Sequence, residues 1–167
     1  MAAAGLPKLW AKEFDLLEID RLQIKISSEI PILKEMGMEI RKVEKNESLI
    51  HFPLQPNHNH KGTAFGGSIY AACTAACYAL IYSRQIQSQI ADRDLVITQG
   101  EIKYKKAVKQ DFFARAELVE PDWQSLLESL KNRRPEKLMM TCFIYSGSDE
   151  INCEFTAHFA LLPSDRR

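Results

Sequence analysis

The spacing of apolar residues changes character several times along the chain, and each change predicts an element. Residues 8–26 set Leu9, Phe14, Leu16, Leu17, Ile19 and Leu22 at helical spacing among charges, which predicts one or two amphipathic helices. "SSEIPILKEMG" then reads as a short helix, with Ser28 as N-cap, Pro31 in the first turn and Gly37 as the stop. From Met38 the period drops to two. "MEIRKVEKNESLIHFPL" predicts a hairpin that turns at Lys45-Asn46-Glu47, puts Ile50, Phe52 and Leu54 on one face, and is closed by Pro53 and Pro56.

Residues 62–83 contain no charge at all. A helix from about Gly67 to Gln87 is predicted there, the longest in the chain, and a helix uncharged all round must be covered on every side. Four strands follow: "LVITQGEIKYKKAV", "DFFARAELVE", "KLMMTCFIYS" and "CEFTAHFALL", the last with Cys153, Phe155, Ala157, Phe159 and Leu161 on one face. Between the second and third, "DWQSLLESLKNRR" predicts a short amphipathic helix with Asp122 at its N-cap, and "GSDEIN" joins the last two strands as a turn. The sum is an α+β chain in which an antiparallel sheet curls around a long apolar helix. One domain accounts for residues 1–167, with 1–27 as a helical N-terminal extension and 28–163 as the core.

Charge and composition narrow the function. Lys plus Arg and Asp plus Glu each number 22, so no net field draws the chain to nucleic acid or to an anionic membrane. The helical part of the uncharged run is shorter than the roughly 20 apolar residues of a membrane span. "MAAAGLPKLWAKEF" is interrupted by Lys8, Lys12 and Glu13, unlike a secretory signal, which points to a cytoplasmic protein. Cys73, Cys77, Cys142 and Cys153 form no C-x-x-C pair and read as reduced core fillers. His58 and His60 lack a third ligand nearby, so no metal is expected, and no cofactor motif is present.

The candidate chemistry sits where the polar loop meets the long helix. A chain entering a helix through Gly66-Gly67 leaves its first N–H groups unpaired at the positive end of the helix dipole, and glycine permits positive φ and close approach of a substrate. Such donors suit the oxygen of a polarised carbonyl, while the same glycines also suit a plain tight turn. "NHKGTAFGG", residues 59–67, followed by "SIYAACTAA", resembles the loop and central helix of the hotdog-fold acyl-CoA thioesterases, whose pattern is N-x-x-G-T-x-H-G-G and then a helix. "EIKYKKAVKQD" resembles the strand behind that family's site, and "QPNHNHKGTAFGGSIYA" is similar to the thioesterase family typified by the C-terminal domain of YiiD.

The resemblance implies a sheet wrapped like a bun around the helix, subunits paired edge to edge as a homodimer or as a tetramer made of two dimers, and sites between subunits. It implies a small-molecule acyl thioester as substrate, with Asn59 and the Gly67 N–H addressing the thioester carbonyl. Two positions depart from the pattern: Phe65 replaces the histidine before the glycines, and Thr74 occupies the helix position where related enzymes carry a carboxylate. Thr74 can orient water but cannot take its proton near neutrality. His60, Phe65, Gly66, Ser68 and Tyr70 are the expected substrate-binding neighbours, with His60, which immediately follows Asn59, also a candidate general base. Lys61, Lys103 and Lys106 are the expected partners of coenzyme A phosphates. A non-catalytic module that holds an acyl-CoA or acyl-carrier thioester on the same fold is the alternative reading.

Overall fold

The computed structural model describes residues 14–132, 137–147 and 150–163; Leu9, Arg133, Arg134 and part of the "GSDEIN" turn lie outside the described residues. In chain order the elements are α1 (Leu16–Glu29), α2 (Pro31–Glu35), β1 (Glu39–Val43), β2 (Glu47–Phe52), α3 (Gly66–Gln87), β3 (Asp94–Tyr104), β4 (Phe112–Glu117), α4 (Glu120–Lys131), β5 (Leu138–Tyr145) and β6 (Ile151–Leu162). All strand pairings are antiparallel, and the six strands lie in the order β1-β2-β4-β5-β6-β3. β3 therefore forms one edge, with β6 as its only neighbour among the described strands.

α3 is the axis of the core. Ala72, Cys73, Ala76, Cys77, Ala79, Leu80 and Ile81 are completely buried, and the small residues let the helix lie close to the sheet. The sheet answers with Ile50 and Phe52 from β2, Phe112 and Ala114 from β4, Met140 and Ile144 from β5, and the predicted Phe155, Ala157 and Phe159 face of β6. Each large side chain sealed in this way contributes about 1.5–3 kcal/mol. A buried hydroxyl adds a polar tie: Ser48 Oγ on β2 donates to the Ala76 carbonyl at 2.8 Å.

Three local expectations are corrected. Ser28 does not cap α2, because α1 runs through it to Glu29 while its Oγ donates to the Lys25 carbonyl. Full burial of Ile26 holds α1 in register up to the break imposed by Pro31, which sits in the first turn of α2 as expected. Asp122 does not cap α4; the helix starts at Glu120 behind an extended Val119, and Asp122 lies in its first turn. Leu54 is not on the hairpin face, since β2 stops at Phe52 and the Leu54 N–H turns to the Asp111 carboxylate at 2.8 Å. Gly37 does end α2, with φ +72°, a conformation that a β-carbon would oppose and that Pro53 crowds further.

Candidate active site at the start of the central helix

The loop before α3 is built by a single asparagine. Asn59 Oδ1 accepts the backbone N–H groups of Lys61 (2.8 Å) and Thr63 (3.3 Å), its amide donates to Thr63 Oγ1 (3.0 Å), and its own N–H reaches the Thr63 carbonyl (2.7 Å). Gly62, at φ +72°, closes the turn. The loop is then seated by Ala64 N–H on the Val108 carbonyl and Phe65 N–H on the Asn57 carbonyl. Asn57, buried and absent from the sequence-level candidates, holds the base of the loop through its amide on the Met36 and Pro53 carbonyls.

α3 begins without a cap. Phe65 is the N-cap in extended conformation and offers no side-chain acceptor, and the first N–H to meet a helical carbonyl is that of Ile69, on Phe65. Among the described residues, the N–H groups of Gly66, Gly67 and Ser68 have no acceptor, at the positive end of a 22-residue helix. Of the two reasons the sequence suggests for glycine here, positive φ is not used. Gly66 and Gly67 are helical, and what they provide is close approach: a β-carbon on Gly67 would sit 2.4 Å from the Phe65 ring, and one on Gly66 would meet the Tyr104 hydroxyl at 3.2 Å.

Two tyrosines brace the same corner. Tyr104, at the end of β3, donates its phenol to the Gly66 carbonyl at 2.9 Å, a contact across 38 positions that no local pattern announces. Burial, and then Cys153, Cys73 and Tyr70, push its pKa up, so it remains a neutral donor at physiological pH. Tyr70 stands edge-on to Phe155, with ring centroids 5.0 Å apart, and lays its hydroxyl over Gly100, where a β-carbon would lie 2.2 Å away. The isolated glycine in a strand was the available signal for this close approach.

Thr74 lies one turn above Tyr70, half-buried, and its hydroxyl donates to the Tyr70 carbonyl at 3.0 Å. With its proton committed, the oxygen can only accept from a further partner. His60 is exposed at the loop tip, and His58 Nδ1 lies 2.9 Å from the Asn59 carbonyl. Of the expected phosphate partners, Lys106 is paired with Glu150, while Lys61 and Lys103 carry no ion pair among the described residues. Lys103 alternates with Ile102 and Tyr104, so it lies on the face of β3 turned away from α3.

Among the described residues, no cluster of three or more potential metal ligands occurs. All four cysteines are buried and free. Burial and the adjacent Cys73 and Cys77 push the Cys142 thiol well up, and burial raises Cys153 to about 11, as expected of core fillers rather than nucleophiles. A cavity of about 730 Å³ opens beside the loop, lined by Leu54, His58, Gly62, Asp111 and Phe113, but it does not include Gly66, Gly67 or Thr74.

No curated protein matches the chain. Solved structures do. A protein of unknown function from Chlorobaculum tepidum TLS superposes with TM-score 0.81 at 26% identity, over 87% of this chain and 94% of that one. A "putative thioesterase" from Shewanella oneidensis gives TM-score 0.77 at 22% identity, over 87% and 97%. A "probable thioesterase" from Pseudomonas aeruginosa gives 0.75 at 16%, over 87% and 95%. The sheet wrapped on its long helix is the hotdog fold, as the sequence predicted. Residues 19–163 match the family described as "Putative thioesterase (yiiD_Cterm)", and the chain belongs to that thioesterase family.

Proposed function

We propose that this chain hydrolyses an acyl thioester, acyl-CoA in the first instance, whose carbonyl oxygen is received at the uncapped start of α3. The observation that carries the reading is the set of free N–H groups at Gly66, Gly67 and Ser68, with glycine at two of the three so that a substrate can reach the backbone. Donors fixed in advance stabilise the oxyanion that forms as water adds to the carbonyl carbon and the C–S bond then breaks. Phe65 and Tyr70 line the approach. Lys61, in the loop that leads into α3, is the cation that would meet phosphates.

Asn59 enters this scheme as a positioning residue, because its Oδ1 and one of its two amide hydrogens are used within the loop. Asn59→Asp keeps the acceptor for Lys61 and Thr63 and loses the donor. Retention of most kcat/KM in that variant supports loop shaping, whereas a collapse to the level of Asn59→Ala would assign the amide to the substrate carbonyl.

Thr74 offers lone pairs to the attacking water but cannot accept its proton near neutrality, so the base must come from elsewhere. We place it across a dimer interface formed by β3. This strand is 11 residues long and, among the described strands, unpaired on one side, with Ile97 and Tyr104 exposed on it, and such edges invite a second copy. Light scattering on the eluting protein should give twice the 19.1 kDa chain mass. Purified protein is then tested on a panel of acyl-CoA esters. Multiple turnover on at least one chain length is expected, and absence of turnover on all of them overturns hydrolysis.

The committed Thr74 proton also favours a second reading, a module that binds acyl thioesters without cleaving them. Tight binding of a non-hydrolysable thioether analogue with no turnover of any ester would select it.

A further inference from the structure

We infer that the cleft between α4 and the C-terminal end of α3 binds an anionic amphiphile, a single anionic head group on an apolar chain, at a site separate from the thioester chemistry. The cleft has a volume of about 840 Å³. Its described lining sets Lys45, Arg84, Arg93 and Lys131 against one carboxylate, Glu120, in a chain whose charges balance overall. Glu120 is already spent: it accepts both terminal nitrogens of Arg84 (3.1 and 3.2 Å) and the Gln124 amide (2.8 Å), and it lies 3.4 Å from Lys45 Nζ. Arg93 and Lys131 have no ion pair among the described residues, so the surplus positive charge faces the cleft. Arg84 and Trp123 themselves are buried behind the lining. The unpaired cations at its surface call for an anion.

The other half of the lining calls for hydrocarbon. Ile90, Leu127 and Leu130 are half-buried along it, and α4 contributes positions from 120 to 131 at three- and four-residue spacing. The groove therefore follows the whole helix, roughly 18 Å at 1.5 Å per residue. Inorganic phosphate would fill a small part of that space. A nucleobase would need a free aromatic face, yet Trp123 is fully buried with the Arg84 guanidinium 5.3 Å from its ring centroid. The cleft and the Gly66–Gly67 turn lie at opposite ends of α3, roughly 33 Å apart by helix rise.

Trp123 is the natural reporter. The chain has two tryptophans, so Trp10→Phe leaves Trp123 as the sole emitter. Titration of this protein with a brominated long-chain fatty acid should quench its emission saturably. Arg93→Glu with Lys131→Glu should weaken the half-saturation about tenfold or more while leaving circular dichroism unchanged, and the milder glutamine pair should weaken it in the same direction. The proposal is overturned by the absence of saturable quenching, by equal quenching from a brominated alcohol of the same length, by indifference to both charge variants, or by displacement with inorganic phosphate alone at matching concentration. Emission from Trp123 reads the cleft directly, so a failure to hydrolyse any thioester would leave the result standing.

Discussion

The two ends of α3 are finished in opposite ways. At the N-terminus three N–H groups are left without acceptors behind a cap residue that has none to give, and the surroundings are a loop, two glycines and a phenol. At the C-terminus the chain closes the helix on itself: the Ser88 and Ile90 N–H groups return to the Arg84 and Gln85 carbonyls, and the Gln85 amide ties down the Ile90 and Arg93 carbonyls. There Arg84, 4% exposed, is locked to Glu120 and to the Lys45 carbonyl, which joins α3, α4 and the β1–β2 turn in one knot. The backbone is thus closed off at one end of the helix and left open at the other, so a ligand can meet main-chain donors at the N-terminus and only side chains at the C-terminus.

The contrast breaks most readily at the C-terminal knot. Arg84→Ala removes the buried guanidinium that holds Glu120 and frees the Lys45 carbonyl, while Glu120 keeps the Gln124 amide and Lys45; the loss in unfolding free energy should be about 1–3 kcal/mol. Urea denaturation measures it. Replacing both partners, Arg84→Met with Glu120→Met, should recover much of that loss, since a matched apolar pair leaves no carboxylate without its guanidinium.

Gly67→Ala tests the other end, and should do so in activity rather than stability. The new β-carbon displaces the exposed Phe65 ring and stands where a substrate meets the backbone, so kcat/KM should fall about a hundredfold while the urea midpoint holds. Adding Phe65→Ala removes the clash with the ring. Recovery of activity in the double variant would assign the loss to ring displacement instead of blocked approach, and would weaken the oxyanion reading.

How much of this contrast could be read in advance follows from the range of the forces. The uncharged stretch at 62–83 announced a buried helix because burial is written into every residue of it, and β6 announced its inward face by strict alternation. The Gly66–Gly67 turn was legible as a short motif, though its physical reason, ring and phenol packed against the backbone, was not. The caps at Ser28 and Asp122 were misread because local propensity lost to tertiary contacts: buried Ile26 carries α1 past Ser28, and Arg84 draws Glu120 into the first turn of α4. The hydrogen bonds by which Asn59 shapes its own loop were not legible either, since residue type alone does not announce the partners of an amide.

A smaller effect is expected from Tyr104→Phe, which deletes one partly exposed hydrogen bond between β3 and Gly66. The loss should be about 0.5–1.5 kcal/mol in stability. If the phenol fixes the glycine turn for catalysis, kcat should fall several-fold with KM nearly unchanged, and an equal fall in both Tyr104→Phe and a distant destabilising variant would reduce it to a structural brace.

The smallest effect is a slope against pH at the opposite end of α3. Burial pushes the Glu120 carboxyl up, but the Gln124 amide, the Arg84 guanidinium and Lys45 outweigh it and hold the pKa below the ordinary 4.5. A carboxyl with a depressed folded-state pKa stabilises fully above its unfolded value and loses that contribution as pH falls through the folded one. Stability of the unaltered chain should therefore drop on acidification below about pH 4.5, and Glu120→Gln, already lacking the ion pair, should show a shallower slope over that window. Urea midpoints measured in steps from pH 6 to pH 3 resolve the difference. Parallel slopes would mean that the Arg84–Glu120 knot contributes packing and hydrogen bonds but no charge-dependent stability, and the contrast between the two helix ends would then rest on satisfied backbone groups alone.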